Sequence, residues 1–514
     1  MQPRRFAREF LASDATMVVG IALVPLILHL LFINQYGYSR DEFYYLACGE
    51  HLDWGYVDHP PFIALAAFLI SKTVGSSLLA IRFLPALAVA AVVVLTGQMA
   101  KELGGDQFAQ VLASLAVALA PIFLFTGHVF SMNAFDYLFW ALAAYVLILI
   151  LKYNRPKLWL LFGLIAGVGL MTKYSMGFLG AGLMVGLITA REWKHFKCRW
   201  FWLGGMLAAA IFLPHVVWEI RAGFPTREFI AYASTEKIIP LSPFGFLKLA
   251  ALSVNPVTLP IWMAGMGYLL VRREARPYRA LGVMSLFVLV LLLATRSKPY
   301  YTAPAFPLLM AAGGVAIAAL ANRLRWALLK PVVLATVALI LVVFVPLFLP
   351  VLPVETYVHY ARFMGVDVPS GERNQIGRLP QHFADMFGWE NLVAVVARVY
   401  NSLPANDRAK CAIYTTNYGR AGSIDLFGKR YGLPKSICGH NSYFLWGPRD
   451  YTGEVMLVVG GTPEELRKMF AEVTVAAQVE NPYSMPYESG VLVLICRKSS
   501  IPLKNLWPLT KSYR

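Results

Sequence analysis

The chain has 514 residues, 58% of them hydrophobic and 15% charged, with a mean hydropathy of +0.57. No soluble domain needs so much apolar surface, so composition excludes an ordinary water-soluble enzyme and implies a polytopic membrane protein. The formal charge of +17 does not point to nucleic acid, because Lys and Arg fall in short clusters between apolar runs, the pattern that sets membrane orientation.

Arg4, Arg5 and Arg8 precede an apolar run from Met17 to Ile33 that is long enough to span and has no A-x-A cleavage pattern, so an uncleaved first helix with a cytoplasmic N-terminus is expected. The stretch YSRDEFYYLACGEHLDWGYVDHPPF, residues 38–62, follows. Ser39 with Glu42 three residues on is a capping-box pattern, which predicts a short helix with Asp41 and Glu42 in its first turn. Asp58 and His59 then precede Pro60 and Pro61, whose fixed backbone holds both side chains in a defined loop. The apolar piece 62–74 is too short to span and suits a second juxtamembrane helix lying at the interface. Ten further spans are expected near 78–100, 107–127, 136–151, 158–172, 175–190, 200–218, 246–271, 279–295, 301–320 and 331–350, which makes eleven with the first.

The resulting cytoplasmic segments hold 18 lysines and arginines, against ten others before residue 354. Were 62–74 a span, every later basic loop would move outside, so charge favours the interfacial helix. The 38–62 loop is then external, and so is the C-terminal part. Residues 1–353 form the membrane domain and 354–514 a water-facing α/β domain, in which KCAIYTT, EVMLVVG and GVLVLICR read as strands and 377–403 and 463–470 as helices. That domain has no GxGxxG, P-loop or HExxH. The five cysteines (Cys48, Cys198, Cys411, Cys438, Cys496) lack metal or dithiol spacing; Cys411 and Cys438 are candidates to pair in an oxidising compartment.

With this topology the unusual polar residues of the membrane part collect on the side of Asp41: Arg82, His128, Asn133, Asp136, Lys173, Tyr174, Arg296, Lys298, Tyr300 and Tyr301. Singly, each cation reads as a snorkelling anchor, each tyrosine as part of an interfacial belt and the acids as helix caps. Together, cations at a membrane edge suit an anionic lipid phosphate, and acids beside them suit a base acting on a hydroxyl.

The 38–62 stretch resembles the first external loop of the GT-C membrane glycosyltransferases of the dolichyl-phosphate-mannose protein mannosyltransferase type, which include the bacterial aminoarabinose lipid A transferase. In that family a DE pair opens a juxtamembrane helix, an acidic-basic-Pro triplet closes the loop, and R-x-x-P, a Lys and K-x-x-Y-x-x-P follow. Here these are Asp41 and Glu42, then Asp58, His59 and Pro60, then Arg82 with Pro85, Lys173, and Lys298 through Tyr301 to Pro304. The stretches TTNYGRAGSIDLFGKRYGLP and CGHNSYFLWGP resemble the external domain of one bacterial branch. The usual triplet is Glu-Lys-Pro rather than Asp-His-Pro, and the family's TTD is represented by Ser131, Met132 and Asn133, with Asp136 the nearest acid.

The resemblance implies a mainly α GT-C fold of about eleven transmembrane and two juxtamembrane helices followed by an extracytoplasmic α/β domain. It implies an inverting transferase in the cytoplasmic (inner) membrane that moves a sugar from a polyprenyl-phosphate donor to a lipid, glycan or protein acceptor of the cell envelope, amid membrane lipids and without nucleic acid. Asp41, Glu42 and Asp58 are then the catalytic candidates, with Asp41 the base. His59, Arg82, Lys173, Lys298 and Tyr301 are the candidates for the donor phosphate. The resemblance implies no certain cofactor. Some relatives place a metal between the triplet acid and a later histidine, but the matching stretch ASTEK offers Glu236 and no histidine, so a divalent metal at Asp58 and His59 is weakly supported. His59 is also open to a packing role. The rival from another class is a secondary transporter or lipid flippase, whose charges belong near the bilayer midplane rather than at its outer edge.

Overall fold

The computed structural model describes residues 14–237, 239, 241–326, 328–365 and 375–514. Arg4, Arg5 and Arg8 lie outside them. The first helices are α1 (Asp14–Phe32), α2 (Arg40–Glu50), α3 (Phe62–Thr73), α4 (Leu78–Glu102), α5 (Gln107–Ala118), α6 (Pro121–His128), α7 (Met132–Tyr153), α8 (Leu158–Thr172), α9 (Ser175–Thr189) and α10 (Arg199–Arg221). Then come α11 (Pro225–Tyr232), α12 (Pro243–Ser253), α13 (Leu259–Val271), α14 (Arg279–Ala294), α15 (Phe306–Leu324) and α16 (Leu329–Phe348).

Among the described residues seven helices are long and apolar enough to cross a membrane: α1, α4, α7, α10, Arg276–Ala294, Pro299–Leu324 and α16. Two bent pairs, α5 with α6 at 58° and α12 with Pro256–Val271 at 96°, raise the number to nine. The remaining two expected spans are α8 and α9, each 15 residues, below the roughly 20 that an upright crossing takes. The 62–74 segment is a 12-residue helix. It buries Ile63, Ala64, Ala67 and Ile70 and leaves Leu65 and Leu69 exposed, a one-sided pattern suited to an interface.

The chain divides into two compact units. The first takes in the chain up to Ile33, then Ile81–Val217 and Pro240–Leu352. Its helices pack through small residues, which let backbones close without a hydrophobic driving force. A Cβ on Gly265 would meet the Leu309 carbonyl oxygen at 1.9 Å, and one on Gly313 the Ile261 oxygen at 1.9 Å, so α13 and α15 touch backbone to backbone. On α1 the side chains of Leu23, Ile27 and Leu31 stay exposed, as a lipid-facing stripe would.

The second unit comprises Asn34–Ala80, Trp218–Ile239 and Pro353–Arg514. The 38–62 loop therefore packs with the C-terminal domain rather than standing apart from it. A five-stranded sheet runs in the order β2-β1-β3-β5-β4, with β1 (Cys411–Thr415), β2 (Ile437–Cys438), β3 (Val455–Val459), β4 (Phe470–Val479) and β5 (Val491–Ser499). β1 is parallel to β2 and β3, and β5 is antiparallel to β3 and β4. Alternating residues feed two cores: Ile413, Leu457 and Val493 on one face, Ala412, Met456 and Leu494 on the other. Phe43 of α2 joins the first core beside Trp389 and Val393 of α18 (Trp389–Ser402), which follows α17 (Val354–Phe363).

Three expectations for this domain are corrected. The 377–403 helix is interrupted, running Gln381–Ala384 and then α18, because Gly388 sits at φ 94° between them and a left-handed residue ends a helix. The 463–470 helix stops at Leu466, and Phe470 already belongs to β4. Cys411 and Cys438 are free. Cys438 pairs in register with Thr415, so Cys411 lies four residues, roughly 13 Å, back along the neighbouring strand. That is beyond the about 7 Å that a disulfide bridges.

Candidate active site

The acids are built on α2. Ser39 has the extended backbone of an N-cap, and its N–H donates to Glu42 Oε2 at 2.7 Å. Glu42 is fully buried, so of the two neighbouring carboxylates it is the one engaged in starting the helix. Asp41 is part-open. Its Oδ1 accepts the Tyr418 hydroxyl at 2.9 Å, and among the described residues no group bonds its Oδ2.

Tyr418 opens α19 (Tyr418–Phe427), capped by Asn417, whose side chain accepts from Arg420 N–H at 3.0 Å. The same turn is fixed by a buried ion pair, Arg420 Nε to Glu488 Oε2 at 2.7 Å. α19 approaches α2 through glycines: a Cβ on Gly422 would meet Phe43 Cβ at 2.7 Å, and one on Gly419 would meet Arg40 Cγ at 2.6 Å. The Tyr418 ring then lies between the Arg40 guanidinium, 4.6 Å from its centroid, and the Tyr44 ring, stacked at 4.7 Å.

Tyr44 carries the arrangement to the second acid. Its hydroxyl donates to Asp58 Oδ1 at 2.7 Å and meets Ser442 Oγ at 2.7 Å, while Val57 N–H donates to that same Oγ at 3.1 Å. Ser442 follows Asn441, held at φ 49°, a conformation that costs free energy and persists only where its surroundings enforce it. Burial, foremost, and the nearby Asp41 charge raise the Asp58 pKa, against the opposing pull of His59 and the Tyr44 bond.

A raised carboxyl pKa has a signed consequence. Between the ordinary aspartate value of about 3.9 and the raised one, the folded protein holds more protons than the unfolded chain, so stability falls as pH rises. Asp58→Asn keeps an oxygen for Tyr44 and removes the titration. The variant should therefore lose less stability than wild type in thermal unfolding followed from about pH 4 to pH 7; a steeper fall in the variant would contradict this.

His59 was expected to face phosphate or metal, and the structure places it in the loop's packing. It is fully buried, with Nδ1 2.8 Å from the Pro60 carbonyl and Nε2 3.9 Å from Cys48 Sγ. Its ring stacks on Tyr56 at 4.9 Å and meets the edges of Tyr44 and Tyr45. A carbonyl accepts only from a protonated nitrogen, so Nδ1 carries hydrogen. Among the described residues no three of His, Cys, Asp and Glu gather closely enough to hold a metal ion.

In the first unit, Lys173, Lys298 and Tyr301 come together. Lys173 Nζ donates to Asn133 Oδ1 at 2.7 Å, stands 4.0 Å from Asp136 Oδ2, and faces the Tyr301 ring at 4.7 Å and the Tyr300 ring at 5.7 Å. Lys298 Nζ lies 6.0 Å from the Tyr300 ring. Asp136 is fully buried and also accepts the Ser175 hydroxyl. Arg82, wholly buried, donates to the Ile33 carbonyl at 3.0 Å and lies 3.3 Å from His128 Nε2.

Sequence reasoning singled out most of these groups but missed Tyr418, Tyr44 and Ser442, the hydroxyls that hold the acids. The only signal was that Tyr418 and Ser442 fall within the two C-terminal stretches already set apart by resemblance.

Residues 58–218 match the family model of dolichyl-phosphate-mannose-protein mannosyltransferases. The matched stretch is similar to that glycosyltransferase family. It contains Asp58, His59, Arg82 and Lys173. The fold has solved counterparts: ArnT from Cupriavidus metallidurans, crystallised bound to undecaprenyl phosphate and in the apo state, superposes with TM-scores of 0.62 and 0.63 at 15% and 16% identity, over 93% of this chain and 97% of that one. The archaeal oligosaccharyltransferase AglB from Archaeoglobus fulgidus, solved with an inhibitory peptide and a dolichol-phosphate, matches with a TM-score of 0.50 at 12% identity over 87% of this chain and 69% of its own. At these identities the likeness establishes the fold alone. No curated protein matches the sequence.

Proposed function

We propose that the protein transfers a sugar from a polyprenyl-phosphate carrier to an acceptor hydroxyl at the outer face of the cytoplasmic membrane, with inversion at the anomeric carbon. The observation that carries the reading is Asp41: a part-open carboxylate with one oxygen held by Tyr418 and the other unbonded among the described residues. That is the state a general base needs before its substrate arrives. The family of residues 58–218 and the fold shared with a protein crystallised with undecaprenyl phosphate support the donor class.

In this mechanism Asp41 takes the acceptor hydroxyl proton as the oxygen attacks the anomeric carbon. The bond from that carbon to the phosphate oxygen breaks, and the polyprenyl phosphate leaves with the electron pair. Lys173, Lys298 and Tyr301 stabilise the phosphate, and Asp58 orients substrate. Glu42 and His59 keep α2 and its loop in shape, and Arg82 braces the Ile33 end of α1 against α6. Eleven crossings, with α8 and α9 spanning at less than full length, keep the C-terminal domain and the Asp41 loop outside.

Lipid extracts test the reading. Cells lacking the gene should accumulate one lipid-linked sugar, seen by mass spectrometry, that disappears when wild type is restored and persists with Asp41→Asn. Identical lipid-linked sugar pools in all three strains would overturn it.

A further inference from the structure

The carboxylates proposed to do the chemistry come from the 34–80 segment, yet the hydroxyl on Asp41, and the one behind the tyrosine that holds Asp58, come from residues nearly 400 positions later. Tyr418 reaches Asp41 across 377 positions of sequence and Ser442 reaches Tyr44 across 398. All lie in one compact unit. We propose that the C-terminal domain is part of the transfer machinery, with Tyr418 the residue that positions Asp41, and Ser442 acting through Tyr44 on Asp58. The proposal rests on the reading of Asp41 as base and adds to it the groups that set its aim.

Three features distinguish this from domain packing. Tyr418 is held more rigidly than packing alone requires, by the Asn417 cap, the buried Arg420–Glu488 pair, and its place between Arg40 and the Tyr44 ring. Its hydroxyl also donates to one carboxylate oxygen only, which orients the carboxyl and leaves the second oxygen for a proton. The Ser442 end is as tightly set: Asp425 accepts from Ser436 N–H at 2.8 Å and from Tyr443 O–H at 3.0 Å, fixing the chain on either side of the strained Asn441.

The test uses the full-length purified protein, its lipid-linked sugar donor, and Tyr418→Phe, which keeps the ring stack. The expected result is a fall in kcat of about tenfold or more with donor KM changed less than about threefold. Because Tyr418 acts through Asp41, the same change in an Asp41→Asn background should cost under about twofold. Ser442→Thr keeps a hydroxyl and should retain most of the turnover that Ser442→Ala loses, which guards against a variant that merely misfolds. A Tyr418→Phe kcat equal to that of wild type, or equal losses with and without Asp41, would overturn the assignment. Either could occur while Asp41→Asn still abolishes transfer, so the reading of Asp41 as base stands or falls separately.

Discussion

Asp41→Asn should lower turnover at saturating donor and acceptor by about 10²- to 10⁴-fold, the range a general base supplies, while donor KM changes little. The substitution is close to isosteric: asparagine still accepts from Tyr418, and the cap of α2 depends on Ser39 and Glu42 rather than on Asp41. Unfolding is therefore a poor explanation for the loss, and a melting temperature within a few degrees of wild type should accompany it. Glu42→Gln gives the contrast. It weakens the bond to Ser39 N–H inside a wholly buried site, so it should cost stability and reduce activity only as far as α2 loosens. A variant with Glu42 changed that melts normally and transfers nothing would reverse the roles assigned to the two neighbours.

Lys173→Met should lower kcat/KM for donor by about 10²- to 10³-fold, the scale of one well-placed donor to a developing oxyanion. Removing the ammonium has a second effect, because it stands 4.0 Å from Asp136, which is fully buried, and a buried carboxylate that loses its cation destabilises the fold. Pairing Lys173→Met with Asp136→Asn separates the two. The double variant should recover much of the lost melting temperature and none of the lost transfer. Recovery of both would make Lys173 a structural partner of Asp136 and remove it from the phosphate.

The two variants probe parts of the chain whose legibility differed for physical reasons. The 40–50 helix was readable because Ser39 and Glu42 announce a cap locally, and the apolar segments because hydropathy is a local property. Whether a segment crosses depends on its length against the bilayer, and α8 and α9, at 15 residues each, fall where length alone does not decide. The break at Gly388 and the early end of the 463–466 helix depend on tertiary pairing, which let a periodic apolar pattern pass for a longer helix. β4 carries apolar residues at Val473, Val475, Ala477 and Val479, but most of its ten residues are exposed, so the pattern there is not the mark of a buried strand face. His59 was read from its chemistry as a phosphate or metal group, and the three tyrosines around it come from residues whose packing no spacing rule announces. Tyr418 and Ser442 lay furthest from sight, since a hydroxyl's partner some 400 residues away leaves no local pattern.

The measurement that tests the account most directly is the release of free polyprenyl phosphate by purified protein given the lipid-linked sugars of its own membranes, followed by mass spectrometry in wild type, Asp41→Asn and Lys173→Met side by side. The account predicts that wild type consumes one lipid-linked sugar and releases its polyprenyl phosphate in step with glycosylation of the acceptor. Asp41→Asn should bind that donor without consuming it, and Lys173→Met should bind it poorly. Equal release of polyprenyl phosphate by wild type and Asp41→Asn would contradict the account, because the carboxylate held by Tyr418 would then have no part in the transfer.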